Sequence, residues 1–211
     1  TEQFLRSGIL SAFPGDAIVG EEYPATPPGG TGCVWYLDPI DGTTNLVHDY
    51  QHSTVSLGLY SKGEIILGVI YDPFREEMFY AEKGKGSFVN GRPIHVAETE
   101  NLGQTIIAIG TAPYQKELAP RNFACFQRVF EKCEDIRRTG SAAMDLAYTA
   151  AGRIGGYFEA RLQPWDFAAG MLILTEAGGK ITRYDGSEVN PVEPGGIVAT
   201  NGKLHEELRA L

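Results

Sequence analysis

Five acidic residues stand where short apolar stretches end. Glu21 and Glu22 follow DAIVG, Asp38 follows CVWYL, Asp41 comes next in DPIDGTTN, and Asp166 follows Trp165. Strand and helix ends are where α/β proteins place their sites. Carboxylates that converge repel one another and stay ionised only if a positive group lies among them. Hard divalent cations take oxygen ligands, and Mg2+ accepts carboxylates while keeping several waters. Two such ions, roughly 3.5–4 Å apart, suit in-line phosphoryl displacement. Pro39 stiffens the segment so that Asp38 and Asp41 can face one way, with the Ile40 carbonyl as a further oxygen. Gly42-Thr43-Thr44 reads as a helix start whose free N–H groups would receive phosphate. The same residues have plainer readings. A lone DxxD is usually a solvated turn, Glu21-Glu22 a surface strand end, and Asp166 a helix N-cap.

The elements that must deliver these acids follow from periodicity. Phe4, Leu5, Ile9, Leu10 and Phe13 recur at helical spacing, and the helix stops near Pro14-Gly15. DAIVGEEY is a short strand running into the paired acids, and PATPPGGTG a proline- and glycine-rich loop. CVWYL is a strand that ends at Asp38, with Asp41 in the turn after it. Residues 53–96 read as an antiparallel meander turning at Lys62-Gly63, Asp72-Pro73 and Asn90-Gly91. After about residue 102 strands and helices alternate. TIIAIGT is a strand, NFACFQRVFEKC a helix, SAAMDLAYTAAG a helix and GYFEA a strand. WDFAAGMLILTEAGG is a long apolar helix closed by Gly178-Gly179. GIVAT is a strand, and Asn201 is placed to N-cap the last helix. We therefore expect an antiparallel first half, 1–102, carrying most candidate ligands, and an α/β second half, 103–211.

Composition narrows the classes. With 211 residues, 43% of them hydrophobic, the chain can bury a real core in one large or two small domains. The net charge of −9 and the lack of a basic run argue against nucleic acid. That charge suits an enzyme of anionic substrates only if metal ions supply the positive charge. No run approaches the roughly 18 apolar residues of a membrane span. Cys33, Cys125 and Cys133 form no CxxC pair, so a reduced, cytoplasmic protein is expected. The sequence opens inside an amphipathic helix without Met or leader, and residues are expected to precede it.

Other motifs are weaker. His48 and His52 are four apart, but no HExxH accompanies them, so a surface or helix-end role is expected. TGSAA is not GxSxG. EKGKGSF lacks GK[ST] and reads as a turn. Trp165 reads as packing, and Cys125 and Cys133 as helix-face packing.

Taken together, GEE at 20–22, DPIDGTTN at 38–45 and WDFAAG at 165–170 resemble the inositol monophosphatase family of Mg2+-dependent, lithium-sensitive phosphatases. GVIYDPFREEMFYAEKGKGSFVNG and TGSAAMDL match as well, so the resemblance covers essentially the whole chain. It implies a mixed α/β fold, a layered αβαβα sandwich of the inositol monophosphatase and fructose-1,6-bisphosphatase type. It implies two or three Mg2+ per site, a small phosphorylated polyol or sugar as substrate, no membrane or nucleic-acid partner, and often a homodimer. Metal ligands would be Glu21, Glu22 in a supporting part, Asp38, the Ile40 carbonyl, Asp41 and Asp166. Glu21 and Thr43 would hold the attacking water. Gly42 and Thr43 would meet the phosphate, Gly140, Ser141 and Ala142 would line the substrate, and Glu159 would bind a substrate hydroxyl. The implied reaction is direct hydrolysis by a metal-activated water, without a phosphoenzyme. The family also carries an aspartate just upstream of where this sequence opens. A fructose-1,6-bisphosphatase, with Arg161 reaching the second phosphate, is the alternative within this class. A phosphoadenosine phosphatase fits less well, because Thr-Thr-Asn follows Asp41-Gly42 where that branch has Thr-Lys-Glu. A regulatory or binding protein of the same fold is the alternative outside it.

Overall fold

The computed structural model describes residues 1–27 and 29–211; Pro28, inside the predicted proline- and glycine-rich loop, lies outside them. The first sheet runs in chain order: β1 (Ala17–Gly20), β2 (Cys33–Asp41), β3 (Thr54–Ser61), β4 (Glu64–Asp72), β5 (Glu77–Glu82), β6 (Ser87–Val89) and β7 (Arg92–Ile94). All neighbours are antiparallel except β1, which lies parallel to β2. The expected meander is present. Lys62-Gly63 and Asn90-Gly91 each place two consecutive residues at positive φ, the backbone of tight hairpin turns that match strand twist.

The second sheet comprises β8 (Ile106–Ile109), β9 (Asp135–Arg137), β10 (Gly156–Leu162), β11 (Lys180–Thr182) and β12 (Gly195–Thr200). Its order is β11-β12-β10-β8-β9, with β8 parallel to both its neighbours and β12 antiparallel to both of its own. The strands β9 and β11 escape the sequence pattern because three residues are too few to show a period.

The helices are α1 (Glu2–Ala12), α2 (Thr43–Val47), α3 (Ala119–Phe130), α4 (Ala142–Ala150), α5 (Pro164–Glu176) and α6 (His205–Arg209). They build the expected layers. Ile9 of α1 packs on Ile18, Trp35 and Leu37 at the outer face of the first sheet. Between the sheets, Leu146 of α4 and Phe167 and Ile173 of α5 meet Ile70 and Phe79 on one side and Tyr157 and Ile197 on the other. Phe126 and Val129 of α3 and Leu208 of α6 cover Ile107, Phe158 and Val198 on the far side. Cys125 and Cys133 pack against this last cluster, and all three cysteines are free thiols. No helix among the described residues is long and apolar enough to cross a membrane.

The seat of α5 positions one candidate acid. Gly58 of β3 and Gly68 of β4 are cross-strand partners under the helix. A Cβ at Gly58 would lie 2.9 Å from Ala168 Cβ, and one at Gly68 2.6 Å from the Ala169 carbonyl. Small residues on both surfaces therefore let the helix lie directly on the sheet. Gly68→Ala is expected to cost about 1–3 kcal/mol, because the contact is to backbone that cannot rotate away. A urea midpoint equal to wild type would refute this account of the seat.

The end of α5 behaves as the sequence predicts. Gly178 has φ +91°, its N–H donates to Thr175 O at 3.0 Å, and Gly179 N–H donates to Leu174 O at 2.9 Å. Glu176 then accepts from Gly84 N at 2.8 Å and Gly86 N at 2.9 Å. The glycine-rich EKGKGS turn thus does hold an anion, but it is the chain's own carboxylate. Asn201 corrects another expectation. The last helix begins later, after Leu204, and Asn201 ties the end of β12 to the segment after β7 instead. Its amide donates to Ala97 O at 2.8 Å and Thr99 O at 2.7 Å, while its Oδ1 accepts from Leu204 N at 3.1 Å.

Candidate active site

The structure brings Asp38 and Asp41 together by a device the sequence reading missed. Asp41 is not in a turn: β2 continues through it. Asp38 pairs with Ser56 and Asp41 with Thr54, so three steps on β2 face two on β3. That extra residue is a bulge at Pro39-Ile40, where Pro39 has no N–H to leave unpaired. In a regular strand, residues three apart face opposite sides. The bulge cancels that alternation, and both aspartates line one cavity of about 690 Å³ together with Glu21, Ile40 and Asp166. Glu22 is exposed and outside this lining.

Gly42 follows at once with φ +93° and caps α2. A side chain here would be strained, and its Cβ would sit 3.0 Å from His52 O and 3.2 Å from Gly140 O. The turn is stitched from three sides. Ser53 Oγ donates to Gly42 O at 2.8 Å, and the Asn45 amide donates to His52 O at 2.7 Å and Thr139 O at 2.8 Å. Thr43 Oγ donates to Ile40 O at 3.1 Å. The two histidines separate: His48 is the exposed C-cap of α2, whereas His52 is buried in front of β3 and corrects the expected surface role.

Each aspartate has one oxygen pinned by the chain. Asp38 Oδ1 accepts from Ile40 N at 2.9 Å. Asp41 Oδ2 accepts from Ser141 Oγ at 2.6 Å and Ala143 N at 2.7 Å, at the start of α4. Asp166 Oδ2 accepts from Gln163 N at 2.6 Å; Gln163, not Asp166, is the N-cap, and Asp166 in the first turn of α5 completes a capping box with it. No cationic side chain among the described residues bonds to any of the three; Glu21 lies within hydrogen-bond reach of Asp38, and the Ala142 amide also supports Asp41.

These acids lack neutralisation. Asp38 is pushed up to about 10 by burial first, then by Asp41, Glu21 and Asp166. Asp41 is pushed up to about 6 by burial, against the lowering effect of its bonds from Ser141 and Ala143. Burial also raises Asp166 well above the carboxylate range, and raises Glu21. The arginines in the cavity wall are Arg138 and Arg161. The donor set fits a hard divalent cation: carboxylate oxygens with a carbonyl and excess negative charge. The cluster is open; among the described residues no three acidic, histidine or cysteine groups already close around one point.

The opposite wall holds Glu159 on β10. Its Oε2 accepts from Tyr157 Oη at 2.7 Å and its Oε1 from Ala112 N at 2.9 Å. Gly110 leaves room for it, since a Cβ there would lie 2.0 Å from Oε2. Gly140, Ser141 and Ala142 line the cavity, and Ser141 is buried with its hydroxyl turned onto Asp41. Trp165 packs against the main core and also reaches the lining. Sequence reading missed Tyr157 and Asp145. Asp145 is buried, accepts from Thr139 Oγ at 2.7 Å, and leaves Oδ1 without a partner. An acid inside the apolar helix AAMDLAY was the signal that could have found it.

The model of the inositol monophosphatase family matches residues 1–211. The chain belongs to that family. Within it, the inositol-1-monophosphatase of Synechocystis sp. is 40% identical over 200 residues, covering 95% of this chain and 69% of its own length. The Nus factor SuhB of Pasteurella multocida is 37% identical over 208 residues, covering 99% and 78%. The inositol monophosphatase structure from Anabaena (Nostoc) sp. superposes with a TM-score of 0.92 at 39% identity, covering 99% of this chain and 82% of that one. This inositol monophosphatase family chain therefore shares sequence with relatives named inositol-1-monophosphatase and Nus factor SuhB, and architecture with a solved inositol monophosphatase.

Proposed function

We propose that this chain is a Mg2+-dependent phosphomonoesterase of inositol monophosphate or a related sugar phosphate. One observation carries the proposal: three aspartates face one cavity, each with one oxygen pinned by the chain, and among the described residues no basic side chain is bonded to them. Glu21, Asp38, the Ile40 carbonyl, Asp41 and Asp166 would hold two or three Mg2+, with Glu22 in support. Bound there, the ions would neutralise the phosphate and make water nucleophilic at neutral pH.

The chain's own groups supply the positioning. The Thr43 hydroxyl has its proton committed to Ile40 O, so its lone pairs are left to accept from the attacking water. Glu21 would help hold that water. The amides at Gly42 and Thr43 receive the phosphate. They act as individual donors, since α2 has only five residues and little dipole. Gly140, Ser141 and Ala142 would bound the polyol. Glu159, held rigid by Tyr157 and Ala112, would accept from a substrate hydroxyl. The test is phosphate release from inositol phosphates, fructose bisphosphate, histidinol phosphate and phosphoadenosine, with Mg2+ and with lithium added. No Mg2+-dependent release from any of them would sink the proposal.

Arg161 favours the fructose-1,6-bisphosphatase activity as a second reading, because it lines the same cavity beyond Glu159. Arg161→Ala should then raise KM for the bisphosphate by about tenfold, the scale of a lost charge-assisted contact. The KM for a monophosphate should barely move. Equal changes for both substrates count against this second phosphate site.

A further inference from the structure

The turn that carries Glu21 is gripped by α1. Glu2 is fully buried, which is unusual for a carboxylate, and its partners lie on both sides. Its Oε2 accepts from Glu22 N at 2.9 Å, and its Oε1 accepts from Arg6 Nε at 2.7 Å. Arg6 in turn donates from Nη2 to Tyr23 O at 3.0 Å. Gly20 is the residue that admits this carboxylate: a Cβ there would lie 2.3 Å from Glu2 Oε1. On the other flank, Glu21 N–H donates to Leu37 O at 3.3 Å, one residue before Asp38. The Glu21 backbone is thus held between β2 and α1.

A buried ion pair is weak evidence for stability, because apolar residues of the same size often serve as well. What an apolar pair could not do is fix the amide that follows Glu21. We infer that Glu2 is a positioning residue: its carboxylate, steadied by Arg6, sets the Glu21-Glu22 turn so that Glu21 faces the Asp38 oxygens. Glu2 itself lies outside the cavity lining and touches no reacting atom. The inference rests on the metal site proposed above.

Direct Mn2+ binding, read from the free-ion electron paramagnetic resonance signal, tests it alongside thermal melting. Glu2→Leu removes the acceptor for Glu22 N and should weaken Mn2+ binding about tenfold or more, the usual scale for losing a residue that orients a metal ligand. Glu2→Gln keeps an oxygen for Glu22 N and should bind Mn2+ within about threefold of wild type, a rescue that simple packing would not produce. Wild-type affinity in Glu2→Leu overturns the inference, and so does equal weakening in both variants. If Glu2→Leu does not fold, Arg6→Met decides: it frees one side of Glu2 and should weaken Mn2+ binding, and unchanged binding overturns the inference. Absence of Mn2+ binding and of phosphate release in the wild-type chain would overturn the metal site and the inference with it.

Discussion

Asp41→Asn should abolish most Mg2+-dependent phosphate release, by on the order of 10²–10³ in kcat, the scale of losing one aimed electrostatic group. The substitution keeps shape and removes charge. The asparagine oxygen would turn to Ser141 Oγ and Ala143 N, because both are donors and the amide nitrogen cannot accept from them. The NH2 group would then face the cavity where a carboxylate oxygen now stands, offering donors where a cation needs an acceptor. The fold should survive, since one charge leaves a crowded acidic cluster. A melting temperature at or above wild type, with turnover lost, is the expected pair of results. Normal turnover with Mg2+ would show that Asp41 is not a ligand. The same variant addresses the regulatory alternative raised by relatives named Nus factor: a partner that still binds it would mark a role separate from catalysis.

In metal-free buffer, the stability held by protonated Asp41 should be lost as pH rises from about 4 to 6 and that held by Asp38 from about 4 to 10, and Mg2+ should reverse the loss. Asp41 binds its proton more tightly folded than unfolded, with its value moved from 3.8 to about 6, and Asp38 is moved from 3.8 to about 10. Across those windows the folded chain holds protons that the unfolded chain releases. Stability is therefore greatest below about pH 4 for these groups and is lost as pH climbs through the folded values. Asp41 alone accounts for roughly 3 kcal/mol, from about two pH units at 1.36 kcal/mol each. A cation that binds only the folded chain adds about 2.7 kcal/mol at a hundred times its dissociation constant. Melting curves in EDTA and in Mg2+ at several pH values measure both effects. A melting temperature that climbs with pH in EDTA and ignores Mg2+ would contradict the picture of uncompensated acids.

Much of the fold was legible because its signals are local. Asn90-Gly91 and Lys62-Gly63 require positive φ, and they turned where expected. Gly178-Gly179 closed α5 for the same reason. The failures have one cause as well. Asp41 looked like a turn residue because Pro39 and Gly42 flank it, but pairing with Thr54 on β3 pulled it into the sheet. Asn201 looked like a cap because a helix follows, but carbonyls about a hundred residues earlier claimed its amide first.

By itself the sequence determined which donors exist, how they are ordered along the chain, and which family they belong to. Those are properties of residue type and short spacing. The tertiary structure decided which oxygens are pinned. The bond from Ser141 to Asp41 spans 100 residues, and the one from Glu22 to Glu2 spans 20. Burial, which raises the aspartates, also arises only when both sheets close over α4 and α5. A carboxylate's charge state and its free lone pair depend on what surrounds it, and no local pattern of residues encodes those surroundings.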